Sequence, residues 1–321
     1  MATLTEGYYR DECFVSSEEF SFEACTVLSG QNLVANTVVG KVTIAGIGRV
    51  SVPTVVGSGN GTASLVSAGP SVQVGNYVVT CTAAVAHGGT FSVVAPDGTV
   101  LDSFTMGTTT GGTAAYVSDH INFSLTDGSA DFAVGDVFTF VVDTTAPTVI
   151  GGTGTGTISA LGLKSKAQTG NYLVTITEVV ANGGRYEVRA PNGSLVKAGA
   201  MNTTSTGAAT ITTDHIDFTL TDATDFIAGN YFNVAVYNPA AAPKVVAWDP
   251  TPATYDGRQR VAGVLRGAVD ASSGDTAGVI AVRRAVVHGG ELQWIATASA
   301  GDKVLGKAQL TAMGVVVAAA A

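Results

Sequence analysis

One block of sequence occurs twice in this chain at a fixed spacing, and each copy has to build the same core. GNYVVTCTAAVAHGGTFSVVAPDG at 75–98 matches GNYLVTITEVVANGGRYEVRAPNG at 170–193, every position offset by 95. The match continues from SDHINFSLTD at 118–127 to TDHIDFTLTD at 213–222, then slips by one residue between DFAVGDVFTFVV at 131–142 and DFIAGNYFNVAV at 225–236. A single deletion in a turn explains the slip. Within a copy, Tyr77, Val79 and Cys81 alternate with polar or outward positions, as do Phe91 and Val93, then Ile121, Phe123 and Leu125, then Phe138, Phe140 and Val142. That is the period of half-buried strands. His87-Gly88-Gly89, Pro96-Asp97-Gly98, Asp127-Gly128 and Gly135-Asp136 supply the turn chemistry between them. A compact β-sandwich of immunoglobulin-like size is expected for each copy.

The flanks have a different character. Residues 27–43, VLSGQNLVANTVVGKVT, read as strand, polar turn and strand. Val245, Ala247 and Trp248 resume the pattern at 244, a Pro-rich charged turn follows, and two more strands are expected at Ala262–Leu265 and Gly278–Val282. Asp302 reads as the N-cap of a short helix carrying Val304, Leu305, Ala308 and Ala312 on one side, with Gly314 as its stop before Val315–Val317. Neither flank looks complete alone, so the two are read as halves of one domain. The expected fold class is mainly β: a split small α/β domain interrupted by two tandem β-sandwich modules. With 40 glycines and only 13% charged residues, the composition agrees with many short strands and tight turns.

Charge and cysteine usage narrow the function. The net charge is -9, and no Lys or Arg lies between Arg49 and Lys164, whereas Asp97, Asp102, Asp119, Asp127, Asp131, Asp136 and Asp143 do. Such a surface repels phosphate backbones, so no direct nucleic-acid binding is expected. No apolar stretch approaches the roughly 20 residues that span a bilayer, and MATLTEGYYRDE lacks a signal-peptide pattern, so no membrane partner is expected and synthesis is assigned to a cytoplasm. Cys13, Cys25 and Cys81 form no CxxC pair and give neither a disulfide framework nor a zinc site.

The two copies act as controls on each other. His87 becomes Asn182 and Cys81 becomes Ile176, substitutions that a base, nucleophile or ligand does not tolerate and a turn or core position does. His120 and His215 are kept in both copies within DHI beside Asp119 and Asp214, but one imidazole per module is short of a zinc set, so a turn in which Asp caps backbone N–H groups is preferred. Calcium held by Asp119, Asp127 and Asp131, with Asp214, Asp222 and Asp225 in the second copy, is the lesser reading because the spacing matches no EF-hand loop. His288 and Glu291 read as a hairpin turn, since no nucleophile motif accompanies them. No catalytic, cofactor-binding or metal-binding residue is assigned and no enzyme is expected.

GQNLVANTVVGKVT at 30–43, KVVAWDP at 244–250 and DGRQRVAGVLRGAVDASSGDTAGVIAVRRAVV at 256–287 together resemble the lambda-type head decoration proteins of tailed bacteriophages. The repeats are similar to immunoglobulin-like modules inserted in larger members of that family. The resemblance implies a flexible capsid-binding arm at 1–22, a decoration domain in two parts at 23–51 and 242–321, and the repeats at 52–146 and 147–241. It implies a homotrimer on the outer surface of the virion, at local three-fold positions of the expanded capsid, clamping major capsid subunits with the repeats facing outward. Tyr8, Tyr9, Phe14, Val15, Phe20 and Phe22 are the arm's candidate anchors, joining the capsid protein by β-augmentation. Trp248 and Trp294 are assigned to the core of the split domain or to a trimer contact. The alternative is a virion-surface adhesive protein whose tandem modules bind carbohydrate or the host cell surface, gaining avidity from linkage.

Overall fold

A computed structural model describes residue 14 and residues 21–151, 154–203, 207–222 and 226–318. The chain divides into two compact units: residues 1–43 with 243–321, and residues 44–242. The flank strands before the repeats are β1 (Ser21–Val27), β2 (Gln31–Leu33) and β3 (Val38–Val42). Then come β4 (Gly46–Val50) and β5 (Val55–Val56). The first repeat contributes β6 (Thr62–Ala68), β7 (Gly75–Val85), β8 (Gly88–Val94), β9 (Val100–Met106), β10 (Thr113–Tyr116), β11 (Ile121–Thr126) and β12 (Val137–Asp143). The second contributes β13 (Thr157–Leu163), β14 (Gly170–Val180), β15 (Gly183–Arg189), β16 (Leu195–Ala200), β17 (Ala208–Ile211), β18 (Ile216–Thr221) and β19 (Tyr231–Tyr237). The closing part holds β20 (Lys244–Ala247), β21 (Val261–Leu265), β22 (Val269–Ala271), β23 (Thr276–Arg283), β24 (Ala285–His288), α1 (Ala300–Ala312) and β25 (Val315–Ala318). The fold is mainly β.

In the first unit, β1-β20-β3-β21-β23 close a five-stranded barrel drawn from both flanks. β3, β20 and β21 are largely buried on both faces, which explains their apolar runs, whereas β1 exposes Glu23, Ala24 and Thr26 and β23 exposes Ala277, Val279 and Arg283. Val39, Val245, Leu265 and Ile280 belong to one core cluster, while their neighbours Val38, Val246's companion Trp248, Val264 and Ala281 face a second, under α1. The insertion leaves from the most economical place: β3 and β20 are antiparallel partners with Val42 opposite Lys244, so residues 44–242 occupy the turn of a hairpin.

Each repeat is a seven-stranded pair of sheets. In the first, β6-β11-β10 faces β9-β8-β7-β12 across a core of Tyr77, Phe91, Phe123, Phe138 and Phe140; in the second, β13-β18-β17 faces β16-β15-β14-β19. The strict alternation follows from one wet face per sheet, as in β11, where Ile121, Phe123 and Leu125 are buried and the residues between them are not. The pairing order places the first strand with the fifth and sixth, whereas in the constant-type immunoglobulin order the first two strands share a sheet.

The strand β4 joins the two repeats. It pairs β12 through Val50 and Arg49 and β19 through Gly46, Ile47 and Gly48, so that the larger sheets of both repeats become one continuous sheet. Sequence reading places 44–51 with the first flank; the structure places these residues in the second unit, because two open sheet edges there take up their backbone groups. Gly48 is required at this crossing, since a Cβ would fall 2.0 Å from the Asp143 carbonyl oxygen. Asn233 Nδ2 donates to Val66 O at 2.7 Å and Asn238 Nδ2 to Val72 O at 3.1 Å, adding cross-repeat bonds.

Equivalent positions solve one loop problem with opposite polarity. Buried Asp136 accepts from the backbone N–H groups of Ser58 (2.8 Å), Gly59 (2.9 Å) and Ala133 (2.9 Å). Burial alone would raise its pKa, but the three donors outweigh it and hold the carboxyl below the ordinary value. Its counterpart Asn230 accepts from Ile227 N at 2.9 Å and donates to Gly151 O at 3.1 Å. Asp136→Asn is therefore isosteric but turns an amide NH2 towards backbone donors. It should lower stability by about 2–3 kcal/mol in urea unfolding; a loss within error of zero would show that the loop re-pairs freely.

A second shared device joins Tyr77 to His120 and Tyr172 to His215. Gln73 N–H donates to Tyr77 Oη at 2.8 Å, leaving the phenol O–H to donate to Nδ1 of a neutral His120 at 3.0 Å. Tyr172 repeats the arrangement, with Gln168 N at 2.9 Å and His215 Nδ1 at 3.1 Å. Burial pushes Tyr77 up to about 12 and lowers His120 against the opposing pull of Asp97 and Asp119. With its folded value below the unfolded one, His120 contributes stability that is complete above the unfolded value of 6.5 and is lost as the pH falls from there through the folded value. Melting at pH 7.5 and 5.5 should show a lower Tm at the acid pH, and His120→Gln should flatten the difference; an equal drop in the variant would place the acid sensitivity elsewhere.

Candidate functional site

The first unit's helix is seated by aromatic side chains. Trp248 is buried and donates through Nε1 to Gln259 O at 3.0 Å; half-buried Trp294 meets it edge to face at 5.5 Å. α1 lies on this pair through Gly306, where a Cβ would come within 2.4 Å of the Trp294 ring, and through Leu310. Gln309 Oε1 ties the helix to β21 by accepting from Val261 N at 2.7 Å. Ser299, not Asp302, is the N-cap. Its Oγ accepts from Asp302 N while Asp302 returns a carboxylate to Ser299 N, because a Ser with an acid three residues on closes both orphan donors at once.

The seat also decides which helix face is outward, and it is the opposite of the one a hydrophobic reading selects. Val304 and Leu305 are 69% and 48% exposed, and Ala308 and Ala312 are exposed beside them. A glycine allows the close approach to the tryptophans, so the larger apolar residues point away. Val316, 55% exposed on β25, adds to the apolar surface of this unit.

β23 and β24 supply the partners of β1 and of Phe14, the described residue ahead of it. β1 pairs β23 from Val27 opposite Thr276 to Ser21 opposite Arg283, and Phe14 makes an antiparallel bridge to Val287. Phe14 and Phe22 meet edge to face at 5.8 Å and pack on the core beneath α1, with the Arg266 guanidinium 4.9 Å over the Phe22 ring. Phe22, expected in the arm, is therefore part of β1. Tyr8, Tyr9, Val15 and Phe20 lie outside the described residues.

In the repeats, the DHI turns are capped by the residue before the Asp. Ser118 Oγ accepts from His120 N and Ile121 N, and Thr213 Oγ1 from His215 N and Ile216 N. A hydroxyl two residues back reaches these donors, which leaves the aspartates outside the cap. Cys81 and Ile176 are both fully buried in their cores. Glu291 N–H donates to His288 O in the turn after β24. Asp119 does not join Asp127 and Asp131; His87 does, a convergence hidden from sequence because it comes from the β7–β8 turn and the two aspartates from the β11–β12 loop. Asp225 lies outside the described residues.

Among the described residues no helix is long and apolar enough to cross a membrane. No curated protein and no solved structure matches the chain. A family model, bacteriophage lambda head decoration protein D, matches residues 3–315 and so takes in both units. That match covers nearly the whole chain, and the chain belongs to the bacteriophage lambda head decoration protein D family.

Proposed function

We propose that this chain decorates the expanded phage head as a homotrimer at local three-fold positions, clamping neighbouring major capsid subunits from the outer surface. The observation that carries the reading is the outward apolar face of α1, with Val304 and Leu305 exposed on a helix otherwise firmly seated. Exposed apolar surface of this kind is buried by association, and a three-fold contact is heterologous and closes on itself. Binding that favours the expanded lattice stabilises it by mass action, with no chemistry required. The arm before β1 is the second contact: Tyr8, Tyr9, Val15 and Phe20 would add a strand to a capsid loop, while Phe14, also expected among these anchors, is held within the unit by its bridge to Val287.

Residues 44–242 are read as the outward part. Charge supports this direction: residues 44–242 carry 6 basic and 13 acidic side chains, against 10 and 12 in residues 1–43 with 243–321. The family match does not favour the adhesive alternative for the repeats.

Val304→Asp with Leu305→Asp should convert the trimer to a monomer in light scattering and abolish decoration of expanded capsids, with the melting of the monomer little changed. A trimer that persists with full decoration would remove α1 from the interface. Because Val42 and Lys244 face each other in one hairpin, replacing residues 44–242 by a short turn should leave a folded chain that still decorates expanded capsids. Correct folding with no binding would show that the second unit makes the capsid contact.

A further inference from the structure

We propose that the first repeat binds one divalent cation of the zinc class through His87, Asp127 and Asp131. His87 is at the tip of the β7–β8 hairpin, and the two aspartates lie in the β11–β12 loop. Their ligand atoms lie within 4.8 Å of one another, although the residues are up to 44 apart in sequence. His87 Nδ1 is 3.2 Å from Asp127 Oδ2 and 3.3 Å from Asp131 Oδ1. A tetrahedral ion with bonds of about 2.0 Å sets its ligands about 3.3 Å apart. Both distances from the imidazole nitrogen match that edge.

Hydrogen bonding leaves this cluster incomplete. The Asp127 side chain has no exposed surface, and its Oδ1 has no hydrogen-bond partner among the described residues. Asp131 Oδ1 already accepts from His87 N–H at 3.0 Å. One proton on Nδ1 can be directed along only one of the two N···O lines, so two carboxylates compete for it. A divalent cation in its place satisfies all three groups together. The side chains of His87 and Asp131 are 38% and 46% exposed, which gives the ion a way in and leaves a fourth position to water. Calcium fits less well, because it seeks six to eight oxygen ligands and this set offers a nitrogen and two carboxylates. The bound ion would fasten the hairpin tip to the loop that Asp136 anchors.

The second repeat supplies a folding control. Asn182 occupies the equivalent position with φ +60°, the same value as His87, so asparagine is accommodated in this turn. The test uses the full chain, stripped with a chelator and titrated with zinc chloride by calorimetry, with Co2+ absorption as a second readout. Wild type should take up one zinc per chain in a saturable step, and Co2+ should show visible bands of a site with a nitrogen ligand. His87→Asn should melt like the stripped wild type and bind zinc at least about tenfold more weakly. Asp131→Asn, at an exposed residue, should do the same. The proposal is overturned if wild type shows no saturable uptake, if His87→Asn keeps the wild-type affinity, which would assign zinc to His120, His215 or His288, or if calcium binds more tightly than zinc.

Discussion

The pairing of Val42 with Lys244 is the contact on which the rest of this chain depends. β3 lies between β20 and β21 in the barrel, so the first unit has no closed wall until the chain has returned from residues 44–242. Closing so long an excursion would be costly if it were unstructured, although the cost grows only logarithmically with length. Here the excursion brings its own ends together. Ala45 N donates to Tyr237 O at 2.7 Å and Gly46 faces Tyr237 in the β4–β19 pair, so the folded second unit presents its two ends side by side. Each unit closes with an antiparallel pair, and neither asks the other to hold an open loop.

The same economy appears within the second unit. A tandem of two sandwiches has a bare edge on β12 and another on β19, and bare edges invite pairing with other chains. The short strand β4 covers the β19 edge and one end of the β12 edge, and β5 takes the other end of β12. β4 is small and apolar enough to lie between two sheets, and Gly48 lets it pass the Asp143 backbone. The duplicated sequence is thus not built as two independent beads. Ala235 and Tyr237 of the second copy sit in the core of the first, and Ile44 and Ile47 in the core of the second.

Much of this was legible from residues alone, where local physics decides. The alternation in β7, β11 and β12 and their partners was readable because each sheet has one wet face, and the offset of 95, then 94, carries over to the strand bounds. β3, β20 and β21 were recognisable as apolar runs, but their order was not, since burial on both faces erases the phase that would say which side a residue serves. β4 escaped for a different reason: nothing in GIGRV states which edges it will cover. Comparing copies rightly moved Cys81 into the core. The same comparison set His87 aside on residue identity alone, although Asn182 shares its backbone conformation at φ +60°.

The one-sided apolar pattern of the helix does not say which side is buried. Val304, Leu305, Ala308 and Ala312 form the stripe that hydrophobicity selects as the buried face, yet burial fell to Gly306 and Leu310. The reason lies across the contact. Trp248 and Trp294 already fill the space above the barrel, and a helix can approach two indoles closely only where it has no side chain. The partner's bulk, not the helix's own hydrophobicity, chose the inner face. The larger apolar residues were then left outside on a helix fixed at its start by a capping box and along its length by Gln309. On a head decoration protein, apolar residues held outward by a seated helix are the kind of surface that association buries.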